Sequence, residues 1–101
     1  MTTTPTQTPT LPDVQKQQEA LKSLSPLYAV MLHNDEVNPM DHVVTALLKS
    51  VPQLSEADAT RIMLEAHENG RAVVIVCPLE PAELYRDRLT SFSLGCTIEK
   101  A

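Results

Sequence analysis

The pattern of hydrophobic and polar positions predicts a strand and then a helix in the first half of the chain. In the segment that begins at Tyr28, Val30 and Leu32 follow at every second position, which is typical of a strand with one apolar face. From Met40 onward the apolar residues recur instead at helical spacing. The helix is expected to stop at Pro52, because the residue before a proline is driven out of the helical region.

The polar residues ahead of this first helix predict how it begins. Asn38 is expected to be the N-cap, with Pro39 at the first helical position. Asp41 follows Asn38 by three residues, a spacing that resembles a capping box.

A second helix is predicted between Ser55 and Gly70. Ser55 is the expected N-cap, and the carboxylates of Glu56 and Asp58 suit the positive end of the helix dipole. Gly70 is the expected left-handed stop. The predicted buried stripe consists of Ala59, Ile62, Met63 and Ala66.

Three changes of pattern follow the second helix. Residues 72–77 form an unbroken apolar run rich in β-branched residues, which is typical of a central strand. Pro78 and Pro81 introduce a third helix. Its apolar positions are Ala82, Tyr85, Leu89 and Phe92. Leu94, Cys96 and Ile98 then alternate with polar residues and glycine as a last strand.

The predicted order is therefore β-α-α-β-α-β. Each helix has a single apolar stripe, so the helices can cover one face of a sheet. The other face would meet solvent, which favours antiparallel strands. The predicted fold class is α+β, a two-layer sandwich of a three-stranded antiparallel sheet with three helices packed on one face.

The N-terminal segment differs in composition from the rest of the chain. Residues 1–26 are rich in Thr and Pro and poor in apolar residues, so burial cannot offset the entropy of ordering them. We therefore predict a flexible N-terminal extension over 1–26 and one core domain over 27–101. The extension could be a leader without a role or a tether offered to a partner.

Composition excludes several classes of function. The net charge is −5 without a basic cluster, which argues against nucleic-acid binding. No apolar run approaches the ~20 residues of a membrane span, and the chain does not begin like a signal peptide. The two cysteines, Cys77 and Cys96, lie in apolar patterns and are expected to be buried residues in a reducing cytosol. These features predict a cytoplasmic protein.

Candidate chemistry concentrates between the first strand and the first helix. Asn34, Asp35 and Glu36 place hydrogen-bond acceptors in consecutive positions, and Met40 follows with a soft apolar side chain. This combination suits a ligand with a cationic end and an apolar end. The same residues would also serve as an ordinary strand-to-helix loop.

Catalytic and metal sites are not indicated. No serine or cysteine stands in an exposed loop near a base, as a nucleophile requires. His33, Asp35 and His67 are conceivable metal ligands, but their spacing matches no metal motif. We therefore expect neither a metal nor another cofactor. His67 lies near the apolar face of the second helix, where it is either a packed residue or part of a site.

Several segments together resemble the ClpS adaptor family. They are the block from Tyr28 to Met40, Val43, the segment from Ile62 to His67, Gly70, and the ending 96–101. The resemblance covers essentially all of residues 27–101. ClpS proteins are small non-enzymatic adaptors that bind a bulky hydrophobic N-terminal residue and hand its protein to a Clp ATPase–protease. The resemblance thus implies a monomeric adaptor for N-degrons that begin with Phe, Tyr, Trp or Leu.

Matched positions imply roles for individual residues. Asn34, Asp35 and His67 would hold the α-amino group of the substrate, His67 as the neutral imidazole. The implied hydrophobic pocket consists of Asn38, Met40, Val43, Met63 and Leu94. Glu80 and Tyr85 would contact a Clp AAA+ ATPase of the ClpA or ClpC type.

Two positions depart from the family pattern. Asn38 stands where many members have Thr, which leaves the preferred N-terminal residues open. Tyr85 stands where some members have Lys, which leaves the type of ATPase open. The alternative function is a regulatory module that binds the Clp ATPase without recognising a degron.

Overall fold

A computed structural model describes residues 26–101. Its elements are β1 (Leu27–His33), α1 (Met40–Ser50), α2 (Glu56–Asn69), β2 (Arg71–Pro78), α3 (Leu79–Ser91) and β3 (Cys96–Lys100). The predicted order β-α-α-β-α-β is confirmed. The predicted flexible extension, apart from Pro26, lies outside the described residues. Among those residues, no helix is both long enough and apolar enough to cross a membrane.

The sheet has three antiparallel strands in the order β2-β1-β3, as the fold prediction requires. The expectation that residues 72–77 form a central strand is wrong, because β2 is an edge strand and β1 lies in the centre. On β2, Ala72 and Val74 are buried, whereas Val73 and Val76 are 44% and 47% exposed. A β-bulge at Val74 interrupts the pairing with β1. The apolar run therefore reflects strand propensity and not position in the sheet.

The core lies between the sheet and the helices. Val30 and Leu32 on β1 are at most 1% exposed, and so are Leu47, Ile62 and Leu89 from the three helices. These side chains form one continuous hydrophobic cluster, in which each helix buries its apolar stripe.

The opposite face of the sheet is polar at its edges. Arg71 on β2 forms an ion pair with Glu99 on β3, and His33 Nε2 lies 2.7 Å from Thr97 Oγ1. Met31 pairs with Val73 and Thr97 on this face and is only 5% exposed, because it lies on the central strand.

Both ends of α2 form as predicted. Ser55 is the N-cap, its Oγ accepts a hydrogen bond from Asp58 N at 3.0 Å, and Asp58 Oδ2 accepts one from Ser55 N at 3.1 Å. This reciprocal pair is a capping box, in which both orphan N–H groups are satisfied. Gly70 ends the helix with φ of +93°, which is the left-handed conformation.

The start of α1 differs from the prediction by one residue. Pro39 is the N-cap, the helix begins at Met40, and no side chain caps it. Asn38 and Asp41 therefore do not form a capping box. Asp41 Oδ1 instead accepts a hydrogen bond from His42 N at 3.0 Å, and the Asn38 side chain donates to Asp35 Oδ2.

The end of α3 adopts a Schellman turn that the sequence does not signal. Ser93 has φ of +69°, a conformation more usual for glycine. Its N–H donates to Thr90 O at 2.9 Å, and Leu94 N–H donates to Leu89 O at 3.3 Å. Leu94 lies in this turn and not in the last strand as predicted, since β3 begins at Cys96.

Candidate functional site

The loop after β1 is fastened to the rest of the domain through its backbone. His33 N–H donates to Gly95 O at 2.9 Å, and Asn34 N–H donates to Gly70 O at 2.8 Å. Gly95 directly precedes β3, and Gly70 ends α2. The acceptor-rich residues therefore emerge at the point where the end of α2 meets the sheet.

Asp35 organises this loop through its carboxylate. Its Oδ1 accepts hydrogen bonds from Val37 N at 2.7 Å and Asn38 N at 2.9 Å. Its Oδ2 accepts one from Asn38 Nδ2 at 2.5 Å. The bond from the Asn38 side chain contributes most to lowering the pKa of Asp35, and the two backbone donors add to it. A carboxylate offers about four acceptor positions, so Asp35 retains capacity for a further donor.

Asn34 lies beside Asp35, and its side chain is oriented by Glu36. Its Nδ2 donates to Glu36 Oε2 at 2.8 Å. This bond fixes the side-chain amide so that the carbonyl oxygen is directed away from Glu36. A side-chain amide oxygen is an acceptor only, which suits a cationic donor.

The loop borders a recess with about 280 Å³ of empty space, including its open mouth. The recess is lined by Leu32, His33, Asn34, Asp35, Asn38, Met40, Val43, Met63, Ala66 and His67. Its apolar lining residues from the core are at most 9% exposed, whereas Met40 is 47% exposed and His67 is an exposed residue in the last turn of α2. The recess thus combines an apolar floor with a polar rim.

Seven of the eight predicted substrate-binding residues line this one recess. Leu94 is not among the lining residues, and it is 3% exposed in the turn after α3. Leu32 and Ala66 do line it, although the sequence prediction left them out. Leu32 lies in the alternating apolar pattern of β1 and Ala66 in the apolar stripe of α2, so the sequence pattern already indicates that both are buried.

His42 is a further residue that the sequence prediction missed. Its Nε2 lies 2.8 Å from Phe92 O, and its ring packs edge-to-face on the Phe92 ring with centroids 6.2 Å apart. Because a carbonyl can only accept, His42 carries a proton on Nε2. His42 also contributes a small electrostatic effect that lowers the pKa of Asp35. No local sequence signal identifies this contact, because the partners are 50 residues apart.

Glu80 and Tyr85 lie on α3 and are not among the residues of the recess. Glu80 is exposed in the first turn of the helix. Tyr85 is half-buried, and its hydroxyl accepts a hydrogen bond from Gln53 Nε2 at 2.7 Å. The two residues thus belong to a surface separate from the recess.

The cysteines and potential metal ligands show no reactive arrangement. Burial raises the pKa of the Cys96 thiol to about 12 and raises that of Cys77 as well, so both thiols stay protonated at neutral pH. Within residues 26–101 no three His, Cys, Asp or Glu side chains cluster as metal ligands would. The recess itself combines polar acceptors at its rim with an apolar floor, an arrangement that suits a ligand with a cationic and an apolar end.

Comparisons with known proteins agree on one family. A family model described as "ATP-dependent Clp protease adaptor protein ClpS" matches residues 23–97. A ClpS adapter of Prochlorococcus marinus (strain MIT 9515) is 55% identical over 87 residues, which cover 86% of this chain and 83% of the relative. The ClpS adapter of Synechococcus elongatus is 46% identical over 87 residues, 85% of this chain and 92% of the relative.

A solved structure resembles the fold as well. It is the structure of Agrobacterium tumefaciens ClpS2 bound to L-phenylalaninamide, with a TM-score of 0.70 and 35% sequence identity. The match covers 75% of this chain and 98% of that chain.

Proposed function

Because the chain belongs to the ClpS family of Clp protease adaptors, we propose that it recognises the free N-terminus of substrate proteins that begin with a bulky hydrophobic residue, and delivers them to a Clp AAA+ ATPase–protease. The observation that carries the proposal is the recess itself. Its acceptor-rich rim and apolar floor suit the ammonium and the first side chain of such a substrate. L-phenylalaninamide, the ligand of the A. tumefaciens relative, has both groups.

The α-amino group would be held by Asn34, Asp35 and His67. An ammonium has three donors and no acceptor, so it needs several acceptors in fixed directions. The Asn34 amide oxygen, the Asp35 carboxylate and a neutral His67 ring nitrogen are three such acceptors around one recess. A charge-assisted hydrogen bond is about twice as strong as a neutral one, so Asp35 would contribute most.

The first side chain would enter between Met40, Val43 and Met63, with Asn38 at the rim. Leu32 and Ala66 extend this apolar floor. Methionine has several rotatable bonds and a polarisable sulfur, so two methionines let the recess adapt to differently shaped side chains. Phe, Tyr, Trp and Leu are the expected first residues.

Delivery would use a different surface. Glu80 is exposed on the first turn of α3, and Tyr85 lies one turn and a half further along the same helix. The Tyr85 hydroxyl accepts a hydrogen bond from Gln53 and keeps its own proton, so it can still donate to a partner. We propose that these two residues contact the ATPase, of the ClpA or ClpC type, while the recess holds the substrate.

The adaptor would have no catalytic role of its own, would need no cofactor, and would act as a monomer. The two cysteines form no disulfide, as is usual in a reducing compartment, which supports a cytoplasmic location. Light scattering of the purified chain would test the monomer directly.

The experiment that tests the proposed function compares two peptides that begin with Phe, one with a free N-terminus and one acetylated. We expect the free peptide to bind at least tenfold more tightly, because acetylation removes the charge and leaves polar acceptors of the recess unpaired. Equal binding of both peptides would contradict the proposal. If neither peptide bound while the Clp ATPase still did, the regulatory module would be the better description.

A further inference from the structure

Asn38 joins two separate parts of the chain through one side-chain amide. Its Nδ2 donates to Asp35 Oδ2 at 2.5 Å and to Ser93 O at 3.0 Å. An amide nitrogen has two hydrogens, so each of them serves one acceptor. Asn38 is itself one of the residues that line the recess. The wall that contains Asn38 is therefore tied both to the loop and to the end of α3.

The acceptor at the end of α3 is held in place independently of Asn38. Ser93 adopts a left-handed conformation within the Schellman turn, which fixes the direction of its carbonyl. The preceding carbonyl, of Phe92, accepts the hydrogen bond from His42 on the first turn of α1. Two consecutive carbonyls thus anchor Asn38, which lines the recess, and His42, which lies at the start of α1.

We propose that Asn38 is a specificity-determining positioning residue, which holds one wall of the recess at a fixed distance from the end of α3 and thereby limits the size of the side chain admitted. The inference rests on the proposed function, because it concerns the substrate of that same site. A wall held by bonds in two directions cannot retreat to admit a larger group. Without the bond to Ser93 O the loop can move away from α3, and without the bond to Asp35 Oδ2 the loop itself can change shape.

Phe and Trp are suitable probes, because both rings are planar and apolar but Trp is larger. The intact chain is expected to prefer a peptide that begins with Phe over one that begins with Trp. Replacing Asn38 should weaken binding of the Phe peptide more than that of the Trp peptide. We expect the ratio of the two dissociation constants to change by about tenfold, the lower end of the range that small size differences produce in apolar pockets.

Asn38→Ala and Asn38→Asp separate size from hydrogen bonding. Alanine removes both donors and the volume, whereas aspartate keeps the shape, removes the donors and adds a negative charge. That charge acts on the ammonium that both peptides share, so it cancels in the ratio of the Phe and Trp dissociation constants. Both variants should therefore alter the Phe-to-Trp ratio. Ser93→Gly is the matched control, since it keeps the backbone carbonyl that accepts from Asn38. The ratio of the Phe and Trp dissociation constants in Ser93→Gly should equal that in the unaltered chain.

The titration of Asp35 gives a second readout that a merely structural role would not move. Because the Asn38 side chain is the largest cause of the lowered pKa of Asp35, the pKa should rise toward its ordinary value in Asn38→Ala. Glu36, His42 and His67 also lie near this loop, so the carboxyl carbon of Asp35 itself should be followed by NMR. Ser93→Gly should leave this pKa unchanged.

The full-length chain and its variants are titrated with both free peptides, and their melting temperatures are measured alongside. A changed ratio together with a raised pKa of Asp35 supports the inference. An unchanged ratio in Asn38→Ala and Asn38→Asp overturns it, with or without a lower melting temperature, and leaves the proposed function intact if the unaltered chain binds. Failure of the unaltered chain to bind either free peptide overturns both.

Discussion

At the scale of single residues, the loop illustrates how polar side chains with similar chemistry can take different partners. Asn and Asp cap helices and also bond to their own backbone in turns, since both uses need the same short polar side chain. The sequence predicts that Asn38 caps a helix. In the structure, Asp35 accepts hydrogen bonds from the backbone of its own loop, and the Asn38 side chain links that loop to Ser93 O. Ser93 is 55 residues away from Asn38, so no local sequence pattern indicates this hydrogen bond.

Asp35 should be the residue whose charge matters most to binding. We predict that Asp35→Asn weakens binding of a free Phe peptide by about tenfold or more, as the loss of one hydrogen bond to a charged group implies. The asparagine keeps one oxygen, which can accept from Val37 N and Asn38 N, so the fold should survive, whereas the bond from Asn38 Nδ2 is lost together with the charge. Glu36→Gln is the control, because it removes one neighbouring charge without touching Asp35. Equal losses in both variants would indicate only a general electrostatic effect.

His67 should make binding depend on pH. A protonated ring would replace an acceptor with a second cation beside the substrate ammonium, so we expect the affinity to be lower at pH 5 than at pH 8. Asp35 cannot cause this fall, because the ordinary pKa of an aspartate already lies below this range and the pKa of Asp35 is lowered further by the bonds from Asn38 and Val37.

The comparison of the unaltered chain with His67→Gln identifies the residue responsible. Glutamine retains an acceptor that cannot become a cation, so the affinity of His67→Gln should fall less than that of the unaltered chain across the same range. His33 and His42 are present in both proteins and cancel in this comparison. A fall of the same size in His67→Gln would exclude His67 as the source.

At the scale of elements, the sequence predicts best where the signal is local. Ser55, Asp58 and Gly70 define both ends of α2, because a capping box and a left-handed stop are made within one helix turn. The place of β2 at the edge of the sheet was not predictable in the same way. That place depends on which strands it pairs with, and residues with high strand propensity occur at edges as well as in centres.

The two glycines that anchor the loop should respond differently to alanine. Gly70 has φ of +93°, so Gly70→Ala should lower the free energy of unfolding by about 1 kcal/mol through backbone strain alone. A Cβ at Gly95 would lie 3.8 Å from His33 Cβ, an ordinary contact, so Gly95→Ala should have little effect. Urea denaturation of both variants measures the difference. Equal effects would contradict this explanation of the end of α2.

At the scale of the whole molecule, the site depends on contacts between distant parts of the chain. The loop after β1 meets the end of α2 because Asn34 N–H donates to Gly70 O, which brings Met63 and His67 to the same recess. Periodicity predicts each helix and strand but contains no information on this meeting. The resemblance to ClpS proteins implies a substrate site of eight residues, of which seven line this recess and Leu94 does not.

The central claim is that this recess binds a free amino group and an apolar side chain together. L-phenylalaninamide and its N-acetyl derivative differ only in that amino group, so their effects on the backbone amide signals in an NMR titration test the claim most directly. We predict that L-phenylalaninamide shifts the signals of residues 33–43 and 63–67, and that the acetylated compound leaves them nearly unchanged. Equal shifts with both compounds, or shifts centred on the opposite face of the sheet around Val73 and Val76, would contradict it.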